Sequence, residues 1–243
     1  MVQYNPLQYL PTAEELPDTD NIPVDNELQI LLPTLLRAIL ALLWADRTDW
    51  FLGVNLGIYY ATEKSAIGPD GFLSLGVQRF KSERGRLSYV LWQENNVVPQ
   101  WVLEVVSKTP GDEYDDKLTI YAEMGVLYYV IYNPDYWRRD KHDPFEVYKL
   151  INGVYVCQQG EPFWMPEIGL GIGRTQGTYE GWTREWLYWY TQQGEHYPTP
   201  DDRVQQAEQK ANQTAALLEQ QRQEYEALLA KLRDHSINPD ELL

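Results

Sequence analysis

The stretch that decides the fold is QWVLEVVSKTPGDEYDDKLTIYAEMGVLYYVIYNP, residues 100–134. It opens with an almost continuous apolar run, which is typical of a strand buried on both faces. Residues 112–124 then predict a helix, because acids lie in the first turn and Gly125 suits the C-terminal capping position. A second apolar run, residues 126–132, ends at an Asn-Pro pair and indicates another strand. Together they predict a strand–helix–strand unit.

Short strands and loops surround this unit. Residues 50–60 and 71–77 are aromatic or branched segments bounded by turn residues, and both predict strands. Residues 145–157 predict a hairpin with an Asn-Gly type I′ turn, whereas residues 182–190 fit a helix or a strand equally well. We therefore predict an α/β (α+β) fold with a central mixed sheet flanked by helices.

Helices are predicted on either side of this region. Leucines spaced by three and four residues from Leu28 to Leu43 form one apolar helical face, with Asp25 or Asn26 as its N-cap. Pro33 falls inside this pattern and either kinks the helix or marks its first turn. The preceding residues 1–24 are acidic and rich in proline, which predicts an extended lead-in.

The C-terminal part carries a heptad pattern. Residues 203–233 contain neither Gly nor Pro, and small or apolar side chains recur there at alternating spacings of three and four. This predicts a long helix that lies on a partner helix, as in a coiled coil; a single solvated helix packed on the domain is the alternative. The expected organisation is the lead-in at 1–24, one domain at 25–200, and the helix and tail at 201–243.

Composition limits the functions that the chain can have. The 243 residues include 36 acidic and 20 basic side chains, a net charge of -16. This charge argues against binding nucleic acid over the whole surface, so such a function needs a local site, a metal ion or a partner. Cys157 is the one cysteine and suits a reducing compartment. With no basic and apolar signal segment at the N-terminus, we expect a cytoplasmic protein.

The position of Glu104 most needs an explanation, because this charged residue lies inside the apolar run WVLEVV. A carboxylate buried in a sheet is costly unless it is paired, hydrogen-bonded or bound to a cation. An ion pair with an arginine, or a position at a water-exposed strand end, would explain it without any function.

Two further residues give Glu104 a chemical context. Asp70 follows Pro69 just before a predicted strand, and Lys117 lies one or two turns into the helix after Glu104. Taken alone, Asp70 is typical of an ordinary turn, and Lys117 is typical of a solvated lysine. Together, two carboxylates on adjacent strands can hold Mg²⁺, and a nearby lysine can orient water or stabilise a transition state. This set predicts metal-dependent phosphodiester hydrolysis.

Taken together, these residues and their neighbours resemble the motifs of a known protein superfamily. Pro69-Asp70, the run Glu104 to Ser107, Asp116-Lys117, Tyr121, and the segment Gly125-Val126 with Tyr129 are together similar to the PD-(D/E)XK nuclease superfamily. Within it the chain resembles the Uma-two-type restriction endonuclease family. The block from Glu104 to Tyr129 is the specific part of the match, since a lone Pro-Asp is common in turns.

The resemblance implies a restriction-endonuclease-like fold and a Mg²⁺ or Mn²⁺ cofactor. It implies Asp70, Glu104 and the main-chain carbonyl of Val105 as metal ligands. The superfamily lysine would fall at Val106, so the resemblance suggests a migrated lysine. We expect Lys117 in this role, with Lys108 as the second choice.

Two residues are weaker candidates at the same site. Glu27, in the first helix, could be a fourth acid near the metal, although an acid at a helix N-terminus is also favoured by the helix dipole. Tyr121 lies one helical turn after Lys117 and either positions that lysine or belongs to the core.

Three functions remain open from the sequence. The first is a Mg²⁺-dependent DNA endonuclease, expected to be a homodimer because cutting both strands calls for two sites. The second is a catalytically inactive interaction or assembly protein that keeps the fold. The third is a carbohydrate-binding β protein. It is the weakest of the three, because this chain has a predicted helix between its central strands.

Overall fold

The computed structural model describes residues 10–17, 26–109 and 111–234. A compact unit extends to Tyr197, and a second unit begins at Pro198. The elements, in chain order, are α1 (Leu28–Leu43), β1 (Trp50–Val54), β2 (Ile58–Tyr59), β3 (Gly71–Leu75), β4 (Tyr89–Val90), β5 (Trp101–Val105), α2 (Asp116–Met124), β6 (Tyr128–Tyr132), α3 (Trp137–Asp140), β7 (Phe145–Ile151), β8 (Val154–Cys157), β9 (Phe163–Met165), β10 (Leu170–Tyr179), β11 (Trp182–Tyr190) and α4 (Pro200–Asp234).

A mixed sheet of six strands forms the centre of the first unit, in the order β1-β3-β5-β6-β7-β8. β5 and β6 are parallel, and α2 makes the crossover between them. β3 pairs antiparallel with β5, and the remaining neighbours are antiparallel as well. The predicted α/β fold with a central mixed sheet is therefore confirmed, and β5 lies in its interior.

Both faces of the central sheet are covered by apolar side chains. On one face, α1 and β11 pack against side chains such as Trp101, and the indole N–H of Trp189 donates to the carbonyl of Leu36 over 2.9 Å. On the other face, Tyr121 of α2 packs with Tyr129 of β6. Every residue of β5 is buried, so the strand that contains Glu104 has apolar side chains packed against both of its faces.

The ambiguous residues 182–190 form a strand. They become β11, which pairs with β10 along nine residue pairs in a second sheet that also contains β9. Trp186 and Trp189 are fully buried. The strand is selected by its partner β10 and by the burial of its aromatic side chains, neither of which a local pattern reveals.

Hydrogen bonds from two asparagine side chains stabilise the first turns of α1. Asn26 caps the helix, since its side-chain oxygen accepts the backbone N–H of Leu28 over 2.9 Å; the other candidate, Asp25, lies outside the described residues. Pro33 lies inside α1 and lacks the N–H that would bond to Gln29. The freed carbonyl of Gln29 accepts instead from the side chain of Asn55 over 3.4 Å.

The helix predicted at 112–124 is shorter than expected. α2 begins at Asp116, because Asp112 has a φ of 58° and its carbonyl accepts the backbone N–H of Asp115 in a turn. At the other end, Gly125 caps the helix with a φ of 90°, as predicted. The turn that replaces the first part of the helix carries the buried Glu113.

The other element boundaries agree with those predicted from the sequence, except in one region. The hairpin of β7 and β8 is confirmed, with φ of 52° at Asn152 and 82° at Gly153, as a type I′ turn requires. The segment 50–60 is not one strand: it divides into β1 and β2 around Asn55, whose φ is 45°. Residues 79–86 form a loop.

The two ends of the chain are described only in part. Most of the predicted lead-in 1–24 lies outside the described residues, and within 10–17 a turn joins Thr12 to Glu15. The long C-terminal helix is confirmed as α4, which contains 35 residues. Its predicted contact with a partner helix stays a prediction.

Close contact between α1 and β3 gives a test of this arrangement. A Cβ added at Gly71 would lie 2.8 Å from the Cβ of Pro33. Gly71→Ala is therefore expected to lower the free energy of unfolding by about 1–3 kcal/mol, measured by chemical denaturation. Gly57→Ala is the control, since its Cβ would lie 3.2 Å from Ala66. Equal stability of the two variants would contradict this packing.

Candidate active site

Asp70 and Glu104 meet at one end of two paired strands. In the β3–β5 ladder Gly71 lies opposite Leu103, so Asp70 and Glu104 are the next residues along each strand. The Asp70 carboxylate accepts the backbone N–H of Val105 over 2.6 Å. Both acids are buried, with 7% of Asp70 and 2% of Glu104 exposed. The sheet register alone therefore places the two carboxylates side by side.

Lys117 and Tyr121 of α2 both contact Glu104. The Lys117 ammonium donates to one carboxylate oxygen over 2.9 Å, and the Tyr121 hydroxyl donates to the other over 2.7 Å. The two donors lie four residues apart and so share one face of the helix. The buried Glu104 is thus held from the α2 side at both of its oxygens.

The main-chain carbonyl of Val105 is also at this site. It accepts the side-chain amide of Gln29 over 3.2 Å, which brings the first turn of α1 to the end of β5. Gln29 reaches this carbonyl only through tertiary packing, so no local sequence pattern predicts the contact.

The remaining sequence candidates lie elsewhere. Lys108 is exposed beyond the end of β5, and Glu27 is exposed at the N-terminus of α1. Within the described residues, neither side chain forms a hydrogen bond or an ion pair with Asp70 or Glu104. The structure thus brings together Asp70, Glu104, Val105 and Lys117 from the predicted set, but not Lys108 or Glu27.

Glu113 is a third buried carboxylate that the sequence interpretation missed. Only 6% of it is exposed, its carboxylate accepts the backbone N–H of Gly111 over 2.9 Å, and its carbonyl accepts the Tyr129 hydroxyl over 2.8 Å. Its charge adds to the raised pKa values of Asp70 and Glu104. Helical spacing gave no signal for it, because the turn at Asp112 places Glu113 before the start of α2.

Burial and mutual repulsion dominate the electrostatics. Burial, followed by repulsion from Glu104, raises the pKa of Asp70 well above its ordinary range. Burial also raises the pKa of Glu104, and its bonds to Lys117 and Tyr121 offset only part of this increase. Burial alone would lower the pKa of Lys117, but the attraction and hydrogen bond of Glu104, together with the charges of Glu113 and Asp70, outweigh it, so that pKa is raised. The lysine therefore stays protonated at neutral pH.

An open cleft lies beside Glu113. Its volume is about 350 Å³, and its walls include Glu113, Tyr114, Arg139 and His142. The rings of Tyr114 and His142 stack with centroids 3.7 Å apart. Arg139 donates to the carbonyl of Lys108 over 2.7 Å, which fixes a guanidinium beside the segment that follows β5. The cleft is lined by four acidic side chains and Arg139, and among the carboxylates of the candidate site only Glu113 lines it.

The donor set suits a hard divalent cation. Two carboxylates and a main-chain carbonyl are oxygen ligands, and Mg²⁺ typically uses one or two carboxylates together with water or substrate phosphate. No cluster of three or more His, Cys, Asp or Glu side chains within the described residues has the geometry of a complete metal site. The chemistry of the site therefore fits a cation that takes its remaining ligands from water or substrate.

Comparison with known proteins identifies the family of the chain. Residues 21–230 match the sequence model of a family described as "Uma2: Putative restriction endonuclease". The chain belongs to the Uma2 family. A search of curated proteins finds no match to the chain. The Uma2 match covers more than half of the chain and includes every residue of the site. In the described part of this Uma2 chain, no helix is long and apolar enough to cross a membrane.

The raised pKa of Asp70 predicts a stability effect in this Uma2 chain. Because folding raises that pKa, the ionised carboxylate costs stability above its ordinary titration range. Asp70→Asn keeps the acceptor for the Val105 N–H but removes the charge. It is expected to raise the melting temperature at neutral pH by about 2–4 °C, equivalent to roughly 1 kcal/mol, measured by calorimetry.

The pH dependence and a control complete this test. The gain should shrink as the pH falls through the pKa of folded Asp70, where the wild-type side chain also becomes neutral. Asp135→Asn removes an exposed aspartate and should change the melting temperature little. A lower melting temperature for Asp70→Asn at neutral pH would contradict the electrostatic account.

Proposed function

We propose that this Uma2 chain is a Mg²⁺-dependent DNA endonuclease. The observation that carries the proposal is the convergence of Asp70, Glu104 and Lys117, two buried carboxylates and a protonated lysine, at one end of β5. Membership of a family described as restriction endonucleases supports nuclease function, whereas the metal, the substrate and the roles of the residues are our proposals.

Asp70, Glu104 and the carbonyl of Val105 are the residues proposed to hold the metal, which is Mg²⁺ or Mn²⁺. When bound, such an ion lowers the pKa of a coordinated water and offsets charge on a phosphoryl oxygen. The three buried carboxylates Asp70, Glu104 and Glu113 face a single ammonium from Lys117. This excess of negative charge in a dry site favours a divalent cation.

Lys117 is the proposed catalytic cation of the chain itself. Its raised pKa keeps the ammonium charged, so that it can donate hydrogen bonds to the attacking water or to a phosphoryl oxygen as negative charge develops there. Glu104 orients Lys117 by their 2.9 Å hydrogen bond. Tyr121 holds Glu104 and is proposed as a positioning residue, because its hydroxyl contacts the carboxylate and not the cleft.

The acidic surface restricts how DNA can bind. Two basic side chains of the loop 79–86, Lys81 and Arg86, are already paired with the buried Glu94. Arg139, in the segment 138–141, is also paired, with Asp140 over 2.6 Å, but it lines the cleft beside Glu113 and 36% of its side chain is exposed. An exposed pair contributes little to stability, so we propose that this guanidinium exchanges Asp140 for phosphate, while the net charge of -16 opposes nonspecific binding.

Assembly and location complete the proposal. A duplex has two strands to cut, so we propose that the chain acts as a homodimer that presents two sites. We also propose a cytoplasmic location, since the one cysteine suits a reducing compartment.

The test of catalysis is cleavage of plasmid and linear DNA with Mg²⁺ or Mn²⁺. Glu104→Gln and Lys117→Met should each lower the cleavage rate by about 100-fold or more, since each removes a charge that acts on the transition state. Lys108→Met is the matched control for Lys117→Met, because Lys108 is exposed and contacts neither acid. Loss of cleavage in Lys108→Met alone would assign the role to Lys108.

A second candidate function is an assembly protein that has kept the fold without activity. It is favoured by the bonds that already occupy both oxygens of Glu104. Calorimetric titration with Mg²⁺ separates the two candidates. The endonuclease requires binding that disappears in the Asp70→Asn, Glu104→Gln double variant. Absence of metal binding by the wild-type protein, together with absence of cleavage, would favour the assembly protein.

A further inference from the structure

α4 exposes large apolar side chains along its whole length. The exposed fractions are 57% for Val204, 57% for Leu217, 67% for Leu218, 60% for Tyr225 and 55% for Leu228. A helix of 35 residues with an unburied apolar stripe gains little stability from propensity alone, because most helices in proteins are stabilised by packing of such a face. The stripe is therefore a surface for a partner.

Four of these five side chains, all except Leu217, lie at the core positions of a coiled-coil heptad. Taking Val204 as position a, the a positions are Val204, Ala211, Leu218 and Tyr225, and the d positions are Ala207, Thr214, Gln221 and Leu228. The spacing of three and four residues continues without interruption, as left-handed supercoiling requires. The small core residues Ala207, Ala211 and Thr214 lie in the first half of this pattern, and the larger Leu218, Gln221, Tyr225 and Leu228 lie in the second half. This asymmetry limits how two copies can pack.

We propose that α4 pairs with α4 of a second copy of the chain as an antiparallel coiled coil centred on residue 216. The inference rests on the homodimer proposed above, but it does not depend on the nuclease chemistry. It specifies which surface forms the dimer, which way the helices run and which residues face each other.

Size complementarity favours the antiparallel order. In an antiparallel coil each a residue faces a d residue of the other helix. Centring on residue 216 places a large side chain against a small or polar one in two of the four distinct layers, and a small side chain against a polar one in a third. The layers pair Val204 with Leu228, Ala207 with Tyr225, Ala211 with Gln221, and Thr214 with Leu218. In a parallel coil, Tyr225 would face Tyr225, Gln221 would face Gln221, and Ala207 would face Ala207, which leaves crowded layers beside empty ones.

Charge complementarity selects the same arrangement. Residues at e and g positions flank the core and determine orientation through ion pairs between helices. In the antiparallel register, Glu208 faces Arg222 and Lys210 faces Glu224, and symmetry repeats each pair twice. Arg203 opposite Lys231 is the one unfavourable pair, near the ends of the helix.

Two other arrangements match charge less well. A parallel coil retains one attractive kind of flanking pair, between Arg203 and Glu208, and an antiparallel coil shifted by one heptad toward the C-terminus would place Lys210 opposite Lys231. A shift of one heptad toward the N-terminus would pair Arg203 with Glu224 and Asp201 with Arg222. That register places Leu228 opposite residue 197, before α4 begins, so burial of the core side chains favours the register centred on residue 216.

The existing ion pairs of Arg222 do not block this interaction. Arg222 contacts Glu219 over 3.0 Å and Glu226 over 3.5 Å on its own helix, with 62% of its side chain exposed. Solvent screens exposed pairs of this kind, so they contribute little to stability. Exchange of these partners for Glu208 of a second copy therefore costs little.

The first experiment measures assembly of the full-length protein by sedimentation equilibrium. Lys210→Glu places two acids opposite each other and should weaken the dimer by about tenfold, whereas Lys210→Glu with Glu224→Lys should restore it. Circular dichroism checks that the helix remains. A monomeric wild-type protein would overturn both the homodimer and the coil, and a dimer unaffected by Lys210→Glu would overturn this interface.

The second experiment determines orientation by crosslinking with a short bismaleimide. Cys157 is exposed, so Cys157→Ser is the background for two single variants, Val204→Cys and Leu228→Cys. The proposal expects crosslinks only when the two variants are mixed, because two Val204 positions lie about 36 Å apart in an antiparallel coil at about 1.5 Å per residue. Crosslinks within each variant alone would show a parallel coil. DNA cleavage by the same samples is scored separately, so failure of the coil does not count against the nuclease.

Discussion

The ion pair between Glu104 and Lys117 is the interaction on which the rest of the site depends. Glu104 is 2% exposed in an interior strand of the sheet, where an unpaired carboxylate would cost several kcal/mol. The pair is possible because the parallel crossover from β5 to β6 lays α2 over the end of β5. β3 adds Asp70 beside it, and α1 adds Gln29 at the Val105 carbonyl. One buried charge thus explains why four elements converge at one point.

Much of the fold and part of the site follow from the sequence. Glu104 was recognisable because a charge in a continuous apolar run needs a partner, and Lys117 because a helix after that strand returns over it. The adjacency of Asp70 and Glu104 was an inference from two neighbouring strands, and the β3–β5 register agrees with it. The hairpin turn at Asn152 was readable because only a few residue types tolerate its positive φ. Each of these features has a cause that can be identified from the sequence around it.

The features that escaped prediction have tertiary causes. Glu113 was assigned to a helix, but the left-handed backbone at Asp112 shortens α2 and turns Glu113 into the interior. Gln29 reaches Val105 across 76 positions of sequence, a contact that no periodicity encodes. β11 is a strand because β10 lies beside it. Side chains whose positions depend on partners distant in sequence therefore mark the limit of inference from a single chain.

The central claim is that the paired carboxylates form a cation site. The most direct measurement is anomalous X-ray diffraction from crystals of the full chain grown with Mn²⁺. The account predicts one anomalous peak in contact with the carboxylates of Asp70 and Glu104, and no peak there in crystals of the Glu104→Gln variant. Well-ordered wild-type crystals without a peak at these residues, with Lys117 still bonded to Glu104, would contradict it.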